Sequence, residues 1–170
     1  MRSGLIALAL ATVTLSAQST PPGTSHYTRV DAAVACGGAT TAEAMPALKA
    51  EGFKAVVNLR QASEKGANVE DSRKAAEAAG LRYVHIPVNP ADLEAATVDK
   101  FLQALRDPAN MPVYIHCGTA NRVGMMWLIK RVMMDGWAVK EATEEAVRIG
   151  LTSETLKAFA FDYLKSHGKG

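Results

Sequence analysis

Four short apolar runs, at 29–35, 54–60, 81–88 and 112–116, alternate with amphipathic segments that stop at turn residues, and this alternation restricts the fold more than anything else in the chain. Several of the runs are continuously apolar, as expected of strands covered on both faces. The segments between them fit helices over 41–51, 69–79 and 98–106. Thr40 and Glu43 have the spacing of a capping box, and Gly52 and Gly80 stand where helices end in a left-handed residue. The last third reads as helical throughout, over 123–134, 139–148 and 153–164, with breaks at Asp135-Gly136 and Gly150. The pattern predicts an α/β fold: a mostly parallel sheet of four or five strands flanked by helices, with a helical C-terminal third.

At 170 residues the chain fits one compact domain able to bury a core without staples. A net charge of +2 provides no basic stripe, so nucleic acid is not an expected partner. The start differs from the rest: Arg2, an apolar run from Leu5 to Leu15, then Ser16-Ala17-Gln18-Ser19. That is the layout of a secretory signal, expected over 1–19 and cut near Ala17 or Ser19. The run is shorter than the roughly 20 residues needed to span a bilayer. A flexible leader is expected at 20–27 and a single domain over 28–170. This layout implies an exported, periplasmic protein with no stable membrane insertion after cleavage. His26, His85, His116 and His167 lack ligand spacing, so neither a metal nor another cofactor is expected. Met125, Met126, Trp127, Met133 and Met134 recur at helical spacing and read as core.

The stretch that carries chemistry runs from Val113 to Gly124: a buried strand, the loop Cys117-Gly118-Thr119-Ala120-Asn121, then Arg122 at the start of an apolar helix. In open α/β sheets ligands sit at the carboxyl ends of strands, and loop amides with a helix N-terminus form an anion cradle. A thiol placed there is stabilised as the nucleophilic thiolate. Arg122 adds a planar fork able to hold two oxygens of a phosphate or similar oxyanion. The alternative is a core thiol beside a surface arginine, but Cys117 follows the apolar run instead of lying inside it.

The string from His116-Cys117 to Arg122-Val123-Gly124 resembles the signature loop of the dual-specificity and tyrosine phosphatase superfamily. It is most similar to the bacterial phosphatase-like domains called beta-lactamase-hydrolase-like. The resemblance extends to Cys36-Gly37-Gly38, to 52–60, to Gly80-Leu81 with His85-Ile86-Pro87-Val88, and to Glu144-Glu145-Ala146 and Ile149-Gly150-Leu151. It implies a cysteine-phosphatase-like fold in which Cys117 is the nucleophile, Arg122 the oxyanion binder, and Gly118, Thr119, Ala120 and Asn121 the amide cradle. His116 would lie behind the thiolate and orient it. The family carries its general acid in the loop after the third strand, which makes Asp92 the first candidate and Glu94 the second. Both could equally cap or solvate the helix near Thr97.

Two reaction classes follow. A cysteine-dependent phosphatase would act on a small phosphorylated substrate through a cysteinyl-phosphate. The loop, however, places four residues between cysteine and arginine where phosphatases of this superfamily usually have five. That spacing resembles rhodanese-type sulfurtransferases, which would carry a persulfide on Cys117. Arg60, at the end of the second apolar run, either adds positive potential at the site or pairs with Glu64. Cys36 either closes a reversible disulfide with Cys117 or is a small buried residue beside a tight turn.

Overall fold

The computed structural model describes residues 20–169, so the signal expected over 1–19 lies outside the described residues. Five strands form one sheet: β1 (Thr28–Arg29), β2 (Val34–Gly37), β3 (Ala55–Asn58), β4 (Arg82–His85) and β5 (Val113–His116). Their order across the sheet is β1-β2-β5-β3-β4. All neighbours run parallel except β1, which pairs antiparallel to β2 at one edge. The helices are α1 (Met45–Ala50), α2 (Val69–Ala78), α3 (Ala95–Arg106), α4 (Asn121–Met133), α5 (Val139–Ile149) and α6 (Glu154–Ser166). The fold is therefore the α/β sheet that the sequence pattern predicts.

The alternation of side chains along β5 sorts the core into two layers. Tyr114 faces α1 and α2 in a cluster with Ala35, Met45, Leu48, Phe53 and Val56. Ile115 and Cys117 face the other way, into the larger cluster built from α3 to α6. At the centre of that layer α4 is buried nearly all round, including Val123, Met125, Met126, Trp127, Leu128 and Ile129. A helix apolar on every side belongs inside a core. Of the methionine and tryptophan stripe, Met133 and Met134 are the ones that only partly enter this cluster.

Three expectations change. The run 29–35 is not one strand. The Asp31 carboxylate accepts from the amides of Ala33 (2.8 Å) and Val34 (2.9 Å), folding the run into a turn between β1 and β2. An aspartate that binds backbone two and three residues on competes with an extended strand. The expected capping box also fails to form. Thr40 is buried and its hydroxyl bonds the phenol of Tyr114 at 2.8 Å instead. Third, the leader at 20–27 is fastened to the domain: Thr24 bridges Thr40, Ser25 N donates to Ala39 O, and Thr41 N donates to Gly23 O. The glycine stops form as expected, with φ +89° at Gly52 and +73° at Gly80.

Gly37 ends β2 against the Tyr114 ring, and a Cβ there would fall 2.0 Å from the phenol oxygen. Gly37→Ala must push Tyr114 off Thr40, and a loss of about 2–4 kcal/mol is expected from overpacking and the broken buried hydrogen bond. Tyr114→Phe alone should cost about 1 kcal/mol. In that background the alanine should cost less, because the closest clash is gone. Urea unfolding of the four proteins measures this coupling, and an equal cost of the alanine in both backgrounds would contradict it.

Candidate active site

Because β5 lies between β2 and β3, the loop that follows it emerges at the middle of the sheet's carboxyl edge. Cys117 opens that loop, fully buried, with its amide donating to Gly37 O at 3.3 Å. Ala120 takes a left-handed conformation (φ +64°) just ahead of α4. The methyl group costs about 1–2 kcal/mol in that conformation. The tail holds the loop in place. The Asn121 side-chain oxygen accepts from the Thr152 amide (2.7 Å), the Thr152 hydroxyl (3.2 Å) and the Ser153 amide (2.8 Å). Gly150, at φ +137°, approaches so closely that a Cβ there would meet the Ala120 methyl at 2.8 Å. Asn121 thus contributes an anchor through its side chain.

Arg122 turns back over the loop. Its Nη1 donates to Glu64 Oε1 (2.5 Å), Val88 O (3.1 Å) and Leu59 O (3.2 Å), and its Nη2 to Glu64 Oε2 (2.8 Å). Arg122 as a whole is only 7% exposed. Burial opposes its charge, but the paired hydrogen bonds it donates to Glu64 outweigh this and leave its pKa raised. Glu64 responds in the opposite sense: chiefly through its hydrogen bonds with Arg122, its carboxyl is lowered to about 2. The same two groups border the cradle. A Cβ on Gly118 would lie 3.4 Å from Arg122 Nη2 and 3.7 Å from Glu64 Oε2.

The other expected residues divide. Arg60 pairs with Glu64 (Nε to Oε2, 3.3 Å) and donates to the carbonyls of Lys65 and Gly66 at 2.8 Å each. It fixes the loop that presents Glu64, and its own side chain is spent there. His116 is 1% exposed and stacks on Tyr114, on the face away from Cys117, with no hydrogen-bond partner for either ring nitrogen among the described residues. Burial pushes its imidazole down to about 3, so it is neutral. Asp92 stands exposed in the loop after β4, with its amide donating to Asn89 O at 3.1 Å. That loop starts at Val88, whose carbonyl holds Arg122. Glu94 precedes α3 without a side-chain cap. Cys36 and Cys117 are both free and buried. Cys36 pairs in register with Ile115, so its side chain shares a face with Cys117 at a diagonal position, a spacing of roughly 7–8 Å that a disulfide spans only if the backbone moves.

A model of the family described as "DSP-PTPase phosphatase fused to NAD+ Kinase" matches residues 7–162. The chain belongs to this family. A beta-lactamase hydrolase-like protein of Agrobacterium fabrum is 31% identical over 86 residues, covering 49% of this chain and 20% of that protein. The chain thus spans about a fifth of that relative's length. Among solved structures, a DUF442 protein of Shewanella putrefaciens superposes with a TM-score of 0.73 at 20% identity, over 87% of this chain and 93% of that one. TpbA of P. aeruginosa gives 0.66 at 22% identity, covering 88% of each chain. The core catalytic domain of the PP-IP phosphatase SIW14 of S. cerevisiae, crystallised with citrate, gives 0.69 at 16% identity over 89% of this chain and 92% of that one. These likenesses establish the phosphatase fold.

Within this dual-specificity phosphatase fold, Glu64 is the residue that sequence reasoning undervalued. Its four-residue spacing from Arg60 pointed to a local pair, whereas the β3–β5 adjacency carries the same carboxylate to Arg122. A pH dependence follows. A carboxyl held near 2 in the folded protein, against 4.5 as its ordinary value, contributes stability that is complete above about 4.5 and is lost as pH falls toward 2. Urea midpoints of wild type and Glu64→Gln should converge between pH 6 and pH 3, because the variant lacks this group while all others titrate alike. Parallel losses would show that the pair carries no linkage.

Proposed function

We propose that the chain is a cysteine-dependent phosphatase acting on phosphate monoesters. The observation that carries the reading is the Arg122 guanidinium fixed over Gly118, next to the loop that Cys117 opens. One Nη2 hydrogen is committed to Glu64, which leaves the other for an oxyanion in the cradle. In this reading the Cys117 thiolate attacks phosphorus, forming the S–P bond as the ester P–O bond breaks. Asp92 gives the departing oxygen its proton, and water then cleaves the cysteinyl-phosphate to release inorganic phosphate. Arg122 and the amides of the loop stabilise the charge that spreads over the equatorial oxygens. TpbA, of like fold, has been crystallised as a cysteine-to-serine variant with phosphotyrosine, which supports a phosphorylated substrate here. With a signal sequence expected over 1–19, we infer that the activity is periplasmic.

One observation favours a second reading. The loop has four residues between Cys117 and Arg122, and a cradle of that size suits a single sulfur atom carried as a persulfide. The two are separated by assaying the purified protein with an aryl phosphate and, in parallel, with thiosulfate plus cyanide, each beside Cys117→Ser. The phosphatase reading expects aryl phosphate turnover that falls by at least ~10³-fold in the serine variant, with thiocyanate at background. Cys117-dependent thiocyanate formation without phosphate release would replace it with sulfur transfer.

A further inference from the structure

The leader and β1 lie along β2 in a single antiparallel register. Thr24 faces Thr40, Thr28 faces Cys36 and Arg29 faces Ala35, which leaves His26 opposite Gly38. The parallel pairing of β2 with β5 matches Gly37 to His116 and so sets Gly38 level with Cys117. His26, Gly38 and Cys117 thus form one row across the carboxyl edge of the sheet, although the first and last are distant in sequence.

The row is closed up at its middle member. A Cβ on Gly38 would stand 2.7 Å from Ser25 Oγ, 3.0 Å from His26 Cδ2 and 3.3 Å from Gly118 O, so the imidazole and the signature loop flank the place of one missing methyl group. That place is on the face of the nucleophile. Along β2, Cys36 enters the layer that holds Cys117 and Gly37 meets Tyr114 of the other layer, so Gly38 returns to the Cys117 side. Hydrogen bonds from Gly38 N to Ser25 O (2.7 Å) and from Ser25 N to Ala39 O (2.9 Å) hold the leader there. His26 itself is exposed and left-handed (φ +49°), a kink that interrupts the extended run between Thr24 and Thr28. Strain of this kind persists only where the surrounding structure imposes it.

The cradle has room for such a group in its hydrogen bonding. With four residues between Cys117 and Arg122, it offers one amide fewer than the five-residue loop usual in this superfamily. Arg122 has given Nη1 and one Nη2 hydrogen to Glu64 and two carbonyls, and Arg60 is spent on Glu64 and the carbonyls of Lys65 and Gly66. A phosphate monoester spreads its charge over several oxygens, each of which accepts. An imidazole carries a ring N–H whether neutral or protonated, so His26 is a donor in either state.

We propose that His26 is a further substrate-binding residue, which donates from its ring to an oxygen of the phosphate ester held by the Cys117–Arg122 loop, reaching it from the β2 side of the cradle. The nature of the guest rests on the phosphatase reading.

The test measures kcat/KM for p-nitrophenyl phosphate in wild type, His26→Gly and His26→Phe, and titrates inorganic phosphate calorimetrically into Cys117→Ser with and without His26→Gly. Glycine takes the left-handed backbone without strain and removes the ring, whereas phenylalanine keeps a ring but has no N–H. Both should lower kcat/KM about tenfold or more, the size expected for a hydrogen bond to a charged group. The glycine variant should weaken phosphate binding by a similar factor, while its urea midpoint stays at or above that of wild type. Turnover and phosphate binding within about twofold of the parent proteins would overturn the proposal and leave the phosphatase reading standing. So would activity retained by the phenylalanine variant, or a loss in the glycine variant matched by a lowered urea midpoint. If wild type shows no Cys117-dependent turnover, the phosphatase reading falls, and the phosphate titration alone decides whether His26 binds the anion.

Discussion

The site depends on one ion pair between a buried arginine and a partly exposed carboxylate. Arg122 binds Glu64 with both terminal nitrogens and, through Nη1, the carbonyls of Leu59 and Val88, so a single guanidinium fastens the segments leaving β3, β4 and β5 to one another. A guanidinium as enclosed as this is tolerated only when its donors are satisfied, so removing the carboxylate leaves a buried charge short of its partner. Arg60 extends the arrangement by holding the turn that carries Glu64. Two arginines and one carboxylate thereby convert three separate strand ends into a single rigid rim. An anion cradle needs that rigidity, because donors preset toward the developing charge do not have to reorganise during reaction.

A second set of contacts works from the other side. The helical tail reaches the loop through Asn121, whose side-chain oxygen gathers two amides and a hydroxyl from the start of α6, and through the close approach of Gly150 to Ala120. Gly124 lets α4 lie against the end of α5, where a Cβ would meet Ala146 O at 2.9 Å. The glutamate, alanine and glycine positions in the tail that resemble the family therefore have local reasons. Glu145 binds the Trp127 indole and both ends of the Arg131 fork, joining α4 to α5. The C-terminal third is a brace for the loop as well as a core layer.

Much of this was legible in the sequence because it rests on local rules. Continuous apolar runs marked parallel strands, Gly52 and Gly80 marked helix ends, and a cysteine at the close of a strand with an arginine opening a helix marked the cradle. What escaped depends on side chains that choose between competing partners. Asp31 reads as one polar position in a β run, yet its carboxylate takes two backbone amides and turns the chain. Thr40 has the spacing of a cap but meets Tyr114, distant in sequence. Glu64 could be paired with Arg60 from spacing alone, whereas its bond to Arg122 needed the strand order. His116 was expected behind the thiolate, orienting it, but the face it takes follows from the parity of β5, and that parity turns it toward Tyr114 and away from Cys117.

The central claim is that Glu64 holds Arg122 in the posture that binds an oxyanion, instead of competing with the oxyanion for it. Calorimetric titration of inorganic phosphate into Cys117→Ser, and into the same protein with Glu64→Gln added, tests this directly. The account predicts that the added substitution weakens phosphate binding by about tenfold or more, through loss of the charged hydrogen bonds that orient the guanidinium. Unchanged or tighter binding would mean that the carboxylate occupies the anion's place, and would contradict it.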